Sequence, residues 1–279
     1  MLTLYEMEPS LRDVFVEGAT DRGFYGWYLR ERNVEAEVYD IDARVFIGRE
    51  LPIRLGIEVN ARGRAIALGV EADARLGADQ RSVTIVVDAD FSNALGKQPG
   101  AGGAVLYTDV PALESYALHE SPMEKFLRVV LHAPKTLKAS AVLDVITPVL
   151  TVVLATRAVL HSHAVPLIQN FTRVCTFEES GGRVRVEDLL ARSIGGRKSE
   201  LQKTLEDLVS EVEEASRLMK STGQYARGHD IAPVLKEFLR LKGGLANHDA
   251  IEAGLRASLP LDYLDEQPLF MDLRRRLTA

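Results

Sequence analysis

The chain has 279 residues, 46% of them hydrophobic, which is enough for a packed core in one large domain or two smaller ones. A formal net charge of −6 provides no global basic field, so any polyanionic ligand has to be met by local basic patches or by bound cations. The single cysteine, Cys175, excludes a disulfide framework and a thiolate-rich zinc site and fits a reducing compartment.

The N-terminal stretch "MLTLYEMEPSLRD" carries acids where an export signal has a basic region and an apolar core, so a cytoplasmic protein is expected. "DVFVEG" then reads as a strand. "TDRGFYGWYLRER" reads as a helix with Thr20 as N-cap and with Phe24, Trp27 and Tyr28 on one face. "AEVYDID" is a second strand, and "RGRAIALGVEADARLGA" a helix ending near Gly77. "SVTIVVDADF" holds the clearest strand, Val83 to Asp88, and "GAVLYTD" a fourth. "PALESYALHE" follows as a helix start with Pro111 in its first turn. Strands joined through helices imply an α/β fold with a mainly parallel, covered sheet.

Beyond about residue 121 the character becomes helical. Residues Met123 to Gln169 are rich in helix formers, interrupted at Pro134, Pro148 and Pro166, and "VITPVLTVVLAT" within them reads as a buried helix. "TRVCTFEESGGRVRVEDLL" offers a short extended segment, and Ser199 with Gln202 forms a capping-box pattern ahead of a further helix. "DIAPVLKEFLRLKGG" is another helix, and Asn247 caps a last one. The expected organisation is an α/β domain over residues 1–120 and a mostly helical part over 121–279.

Acids stand at the ends of the strand candidates: Glu17 after the first, Asp88 and Asp90 after the strongest, Asp109 and Glu114 after the last. Parallel α/β sheets bind ligands beyond the carboxyl ends of their strands, so these side chains converge at one rim. Two residues apart in extended chain, Asp88 and Asp90 would face the same way. Carboxylates so gathered need a counter-charge, and oxygen-only donors suit Mg²⁺ or Mn²⁺. Two such ions about 4 Å apart would hold the attacking and leaving oxygens of a phosphodiester displacement.

"VEGATD" followed by "VVDADF" is similar to the TOPRIM pattern of topoisomerases, bacterial primases and overcoming-lysogenization-defect nucleases, and Asp21, four residues after Glu17, resembles the nuclease branch. The chain resembles still more the small TOPRIM family found beside ABC-type ATPases in phage-defence loci, through "VEG..D..FY", "VVDADF", "YTDVPALESYAL" and "GHDI" at Gly228 to Ile231. The resemblance implies a TOPRIM-like fold and a metal-dependent endonuclease cutting DNA or RNA, tRNA included, as a toxic effector of abortive infection. An ABC-type ATPase is the partner it implies; a second copy of the chain is a further candidate partner. By the same likeness Glu17, Asp88 and Asp90 are catalytic metal ligands, and Asp21 and Glu114 are second-ion or supporting ligands; Glu17, at a strand end among carboxylates, is also the candidate general base or acid. Lys198 is a candidate auxiliary cation near the phosphate, and His229 either contacts substrate or caps the helix that follows it. The alternative is a non-catalytic TOPRIM-like subunit that binds nucleic acid or serves as a scaffold. "RRR", Arg274 to Arg276, reads as a phosphate-facing patch, a partner-binding tail or a solvated helix end.

Overall fold

The computed structural model describes residues 2–77, 82–91, 98–178, 181–195, 201 and 203–278. The chain forms two compact units, each discontinuous: Met1–Ala89, Lys97–Asp109 and Leu261–Ala279 in the first, Asp90–Gly96 and Val110–Pro260 in the second. These bounds differ from a division at residue 120: residues 110–120 lie in the second unit and the last 19 residues in the first.

The first unit is built on strands β1 (Asp13–Val16), β2 (Glu37–Asp40), β3 (Val83–Val87) and β4 (Val105–Tyr107), preceded by helix α1 (Leu2–Met7) and linked through α2 (Ala19–Glu31), α3 (Ile41–Arg44), α4 (Glu50–Arg54) and α5 (Ala61–Leu76). All strand pairs are parallel, in the order β2-β1-β3-β4, with Asp13 opposite both Glu37 and Val83. The chain runs outward from β1 to β2, then re-enters beside β1 and proceeds to β4 on the other side. The strand order thus reverses between β1 and β3, the place where open α/β sheets bind ligands.

β1 and β3 are buried throughout, which explains their unbroken apolar runs. On one face Phe15, Val83, Ile85 and Val87 meet Ala65, Ile66, Leu68 and Ala72 of α5. A Cβ at Gly69 would lie 2.4 Å from Val105 Cγ2, so the helix approaches the sheet this closely only with glycine there. Elsewhere Phe24, Tyr25 and Tyr28 of α2 pack on Phe270, with ring centroids 4.8 to 6.3 Å apart.

Helix α2 starts at Ala19, with extended Gly18 as its N-cap and no side-chain cap, so Thr20 lies inside the helix and is not its cap. Asn60 caps α5, accepting a hydrogen bond from Gly63 N, and Gly77 follows its end. "PALESYALHE" yields a 3₁₀ turn, Leu113–Ala117, in place of an α-helix start.

Among its described residues the second unit is mainly helical, with one hairpin. Helix α6 (Glu120–Lys125) leads to α7 (Ala139–Ser162), which runs through Pro148 without a break. Its buried side chains are fixed by packing along the helix Leu205–Ser221 and the hairpin, and this outweighs the local cost of proline. By length and composition α7 could cross a membrane, and 61% of its most apolar window is buried within the protein. Strands β5 (Cys175–Glu178) and β6 (Gly181–Val184) are antiparallel, followed by α8 (Val186–Ile194). Ser199 and Gln202 lie outside the described residues; the next helix, α9 (Leu205–Ser221), opens on a capping box of Thr204 and Asp207. Helices α10 (Gly228–Phe238) and α11 (His248–Ser258) complete this unit, α11 capped by Asn247 as expected. Two last helices, α12 (Leu261–Asp265) and α13 (Pro268–Thr278), belong to the first unit.

The three arginines of α13 have three different tasks. Arg276 donates to Thr84 Oγ1 and Gly103 O at 3.0 Å each, joining the helix to β3 and the turn before β4. Arg275 pairs with Asp272 on the surface, and Arg274 with Asp265 at 3.5 Å.

Candidate active site at the carboxyl edge of the sheet

Glu17 is the first residue beyond β1 and Asp88 the first beyond β3, adjacent strands that flank the reversal. Glu17 Oε1 accepts a hydrogen bond from the Asp88 backbone N–H at 3.0 Å. The Glu17 side chain stays 25% exposed at the carboxyl end of β1. Asp21 lies in the first turn of α2, directly after Glu17 and Gly18, where the helix macrodipole favours an acid.

Arg62 is the residue that sequence reasoning missed. Its Nε donates to the Asp88 carbonyl at 2.8 Å, its Nη2 to the Ala89 carbonyl at 3.4 Å, and its Nε lies 3.9 Å from Glu17 Oε1. The guanidinium also sits 5.8 Å from the centroid of the Tyr107 ring, whose hydroxyl burial pushes up to about 12. A signal was present in "NARGRA": cations in a helix's first turn oppose the macrodipole and so need dedicated partners. Arg64 finds one in Asp42 of α3, at 2.6 and 2.9 Å.

The strand ends at Val87, so Asp88 and Asp90 do not share a face by β alternation. Ala89 is buried, its N–H donating to Thr108 Oγ1 at 2.8 Å. Asp90 belongs to the second unit and adopts the left-handed region at φ 47, which aspartate tolerates better than most residues. Its N–H donates to Pro111 O at 2.8 Å, and its carboxylate pairs with Arg227 at 3.3 Å.

Glu114 is also in the second unit, on the 3₁₀ turn, nearly buried and ion-paired with Arg256 of α11. A Cβ at Gly228 would lie 2.3 Å from Glu114 Oε2, so "GHDI" begins with glycine to let α10 approach this carboxylate. His229 has a different role: its side chain is 77% exposed and its Nδ1 lies 3.0 Å from Glu252 Oε1. The hydrogen bond to Glu252 raises the His229 pKa, and the same contact holds Glu252 below its usual range. No side chain caps α10, so the expected capping role of His229 is not observed. Asp230, 1% exposed, makes a bidentate pair with Arg157 of α7 at 2.6 Å for both contacts. Lys198 lies outside the described residues. Asp109, the other strand-end acid, accepts the Leu269 N–H at 3.0 Å and so serves the start of α13.

The structure therefore brings Glu17 and Asp88 together, with Asp21 on the adjoining helix turn, and engages Asp90 and Glu114 with arginines of the second unit. Among the described residues no group of three or more His, Cys, Asp or Glu forms a ready metal cage. Glu17 and the neighbouring Asp88 nonetheless supply oxygen donors of the kind Mg²⁺ takes, since this ion uses one or two carboxylates and fills its octahedron with water and substrate phosphates. Cys175 is no candidate ligand or nucleophile, its thiol pushed up to about 12 by burial. No protein-family model matches the chain, and no curated protein matches it.

Proposed function

We propose that the chain is a TOPRIM-like, Mg²⁺- or Mn²⁺-dependent nuclease that hydrolyses phosphodiester bonds of DNA or RNA, tRNA among them. It acts as the toxic effector of an anti-phage system under the control of an ABC-type ATPase. The supporting observation is the hydrogen bond that joins Glu17 to the Asp88 backbone across the reversal between β1 and β3. Glu17 and Asp88 would hold the metal, with Asp21 reaching it from the first turn of α2. The metal, when bound, would lower the pKa of a water and neutralise charge on the scissile phosphate. Glu17, at the carboxyl end of β1, is the group that would move the proton of that water. Arg62 fixes the Glu17 carboxylate and the Asp88 backbone in one geometry, an orienting role in a site whose catalysis depends on positioning.

A second reading, a TOPRIM-like scaffold or nucleic-acid-binding subunit that does not cut, draws on the pairing of Glu114 with Arg256 and of Asp90 with Arg227. Cleavage assays separate the two. Full-length chain, alone and with the ATPase, is incubated with plasmid, single-stranded DNA and total tRNA with Mn²⁺ or with chelator. Metal-dependent cleavage that Glu17→Gln abolishes supports the nuclease; intact substrates in every condition support the scaffold.

A further inference from the structure

Phe46 is the most exposed large apolar side chain among the described residues, at 98%, and it stands between two arginines, Arg44 and Arg49. The segment emerges from the same edge of the sheet as the candidate site. β2 pairs in parallel with β1, Val16 opposite Asp40, and α3 follows Asp40 directly, so Phe46 lies a few residues beyond the carboxyl end of the strand next to Glu17. Adjacent strands are only about 4.8 Å apart, so Glu17 and the start of α3 lie on one rim.

The segment is also tied to the site by a continuous chain of contacts. Asp42 of α3 binds Arg64 of α5 at 2.6 Å, and two residues earlier on α5 Arg62 binds the Asp88 carbonyl. On the other side Asp40 accepts the Ala43 N–H at 2.7 Å and lies 3.9 Å from Arg22. Asp40 and Asp42 are thus engaged, while Glu50, next to Arg49, sets its carboxylate over Gly48. Arg44 lies over the Tyr39 ring, 4.7 Å from its centroid, and among the described residues neither Arg44 nor Arg49 is in an ion pair.

We propose that Arg44, Phe46 and Arg49 form a landing site for single-stranded nucleic acid, Phe46 stacking on an unpaired base while the two arginines meet flanking phosphates. The inference rests on the reading of Glu17 and Asp88 as a phosphodiester-cleaving site and specifies its substrate as unpaired. An aromatic face accepts any base, and flanking guanidinium groups follow the backbone; this pairing is the usual make-up of sequence-tolerant single-strand grooves. A single exposed ring is too little apolar surface for a stable protein interface, whereas one base covers one ring. In a chain of net charge −6, arginines on either side of an exposed ring are the kind of local feature a polyanion would need.

The test uses full-length chain carrying Glu17→Gln, which prevents cleavage, with fluorescein-labelled oligo-uridine, oligo-thymidine and a DNA duplex read by anisotropy. Adding Phe46→Ala is expected to weaken single-strand binding about tenfold, the loss of one stacked base, while duplex affinity is unchanged. Phe46→Leu should weaken it likewise, and Phe46→Trp should retain it with quenching of the added indole. Arg44→Ala and Arg49→Ala should each lower the slope of log affinity against log salt by about 1. Single-strand affinity equal in parent, Phe46→Ala and Phe46→Leu overturns the proposal. So does absence of single-strand binding by the parent, or loss of ATPase binding in Phe46→Ala with oligonucleotide binding intact. Phe46-dependent binding without cleavage by the wild-type chain would sink the nuclease and leave this site standing; cleavage indifferent to Phe46 would do the reverse.

Discussion

Glu17 Oε1 lies 3.0 Å from the backbone nitrogen of Asp88, so the acid that ends β1 is bonded to the residue that ends the neighbouring strand β3. The contact uses an oxygen of Glu17 as acceptor and does not require its charge. Glu17→Gln can retain the bond through its amide oxygen while removing the anion. The variant should melt as the wild type does, within about 0.5 kcal/mol in urea denaturation, yet lose metal-dependent cleavage. Full cleavage by this variant would remove Glu17 from the chemistry.

Arg62 serves the Asp88 and Ala89 carbonyls together with the Glu17 carboxylate. Arg62→Ala leaves a partly buried carbonyl without its charged donor, a loss of about 1–3 kcal/mol that chemical denaturation would read. Arg62→Lys should not restore cleavage, because an ammonium cannot reproduce the fork that spans these groups. Rescue by lysine would show that charge alone suffices.

In the second unit Arg157 and Asp230 form a bidentate pair with the aspartate wholly enclosed. Arg157→Ala strands that carboxylate, and the expected cost is roughly 3–5 kcal/mol in urea melts. Gly228→Ala, next to it, forces a methyl against Glu114 and Ala112 and should cost about 1–3 kcal/mol. A variant at either position as stable as the wild type would contradict the packing described for "GHDI".

His229 and Glu252 give the second unit a pH-dependent contact. The folded-state pKa of His229 is raised above its ordinary 6.5, so its contribution is fully present below pH 6.5 and disappears as pH rises through the raised value. Glu252 is lowered from 4.5, so its contribution is present above pH 4.5 and disappears as pH falls through the lowered value. The stability difference between wild type and His229→Gln should therefore be greatest between pH 4.5 and 6.5 and shrink toward alkaline pH. Melting curves across that range check it; a difference independent of pH would contradict the ion pair. Because His229 is largely exposed, the effect should weaken in high salt.

The sheet was legible because its buried strands are unbroken apolar runs, "DVFV" and "VTIVV", each ending in an acid. That pattern located Glu17 and Asp88, and parallel topology explains why they meet. What the sequence could not give was the counter-charge. Arg256 stands 142 positions from Glu114 and Arg227 far along the chain from Asp90, and no local spacing encodes such pairs. The shared face expected for Asp88 and Asp90 failed at Val87, where the strand stops and Asp90 turns left-handed. Pro148 misled for a related reason: propensity is local, and the packing of α7 that overrides it is not. The return of α12 and α13 to the first unit likewise rests on distant partners, Asp265 with Tyr28 and Arg276 with Thr84.

The most direct test of the account is the melting temperature of the full chain against Mn²⁺ concentration, for wild type, Glu17→Gln and Asp88→Asn. A cation that binds only the folded site raises the wild-type melting temperature with concentration and leaves both variants unmoved. Equal shifts in all three proteins, or none in the wild type, would contradict a metal centre built on Glu17 and Asp88.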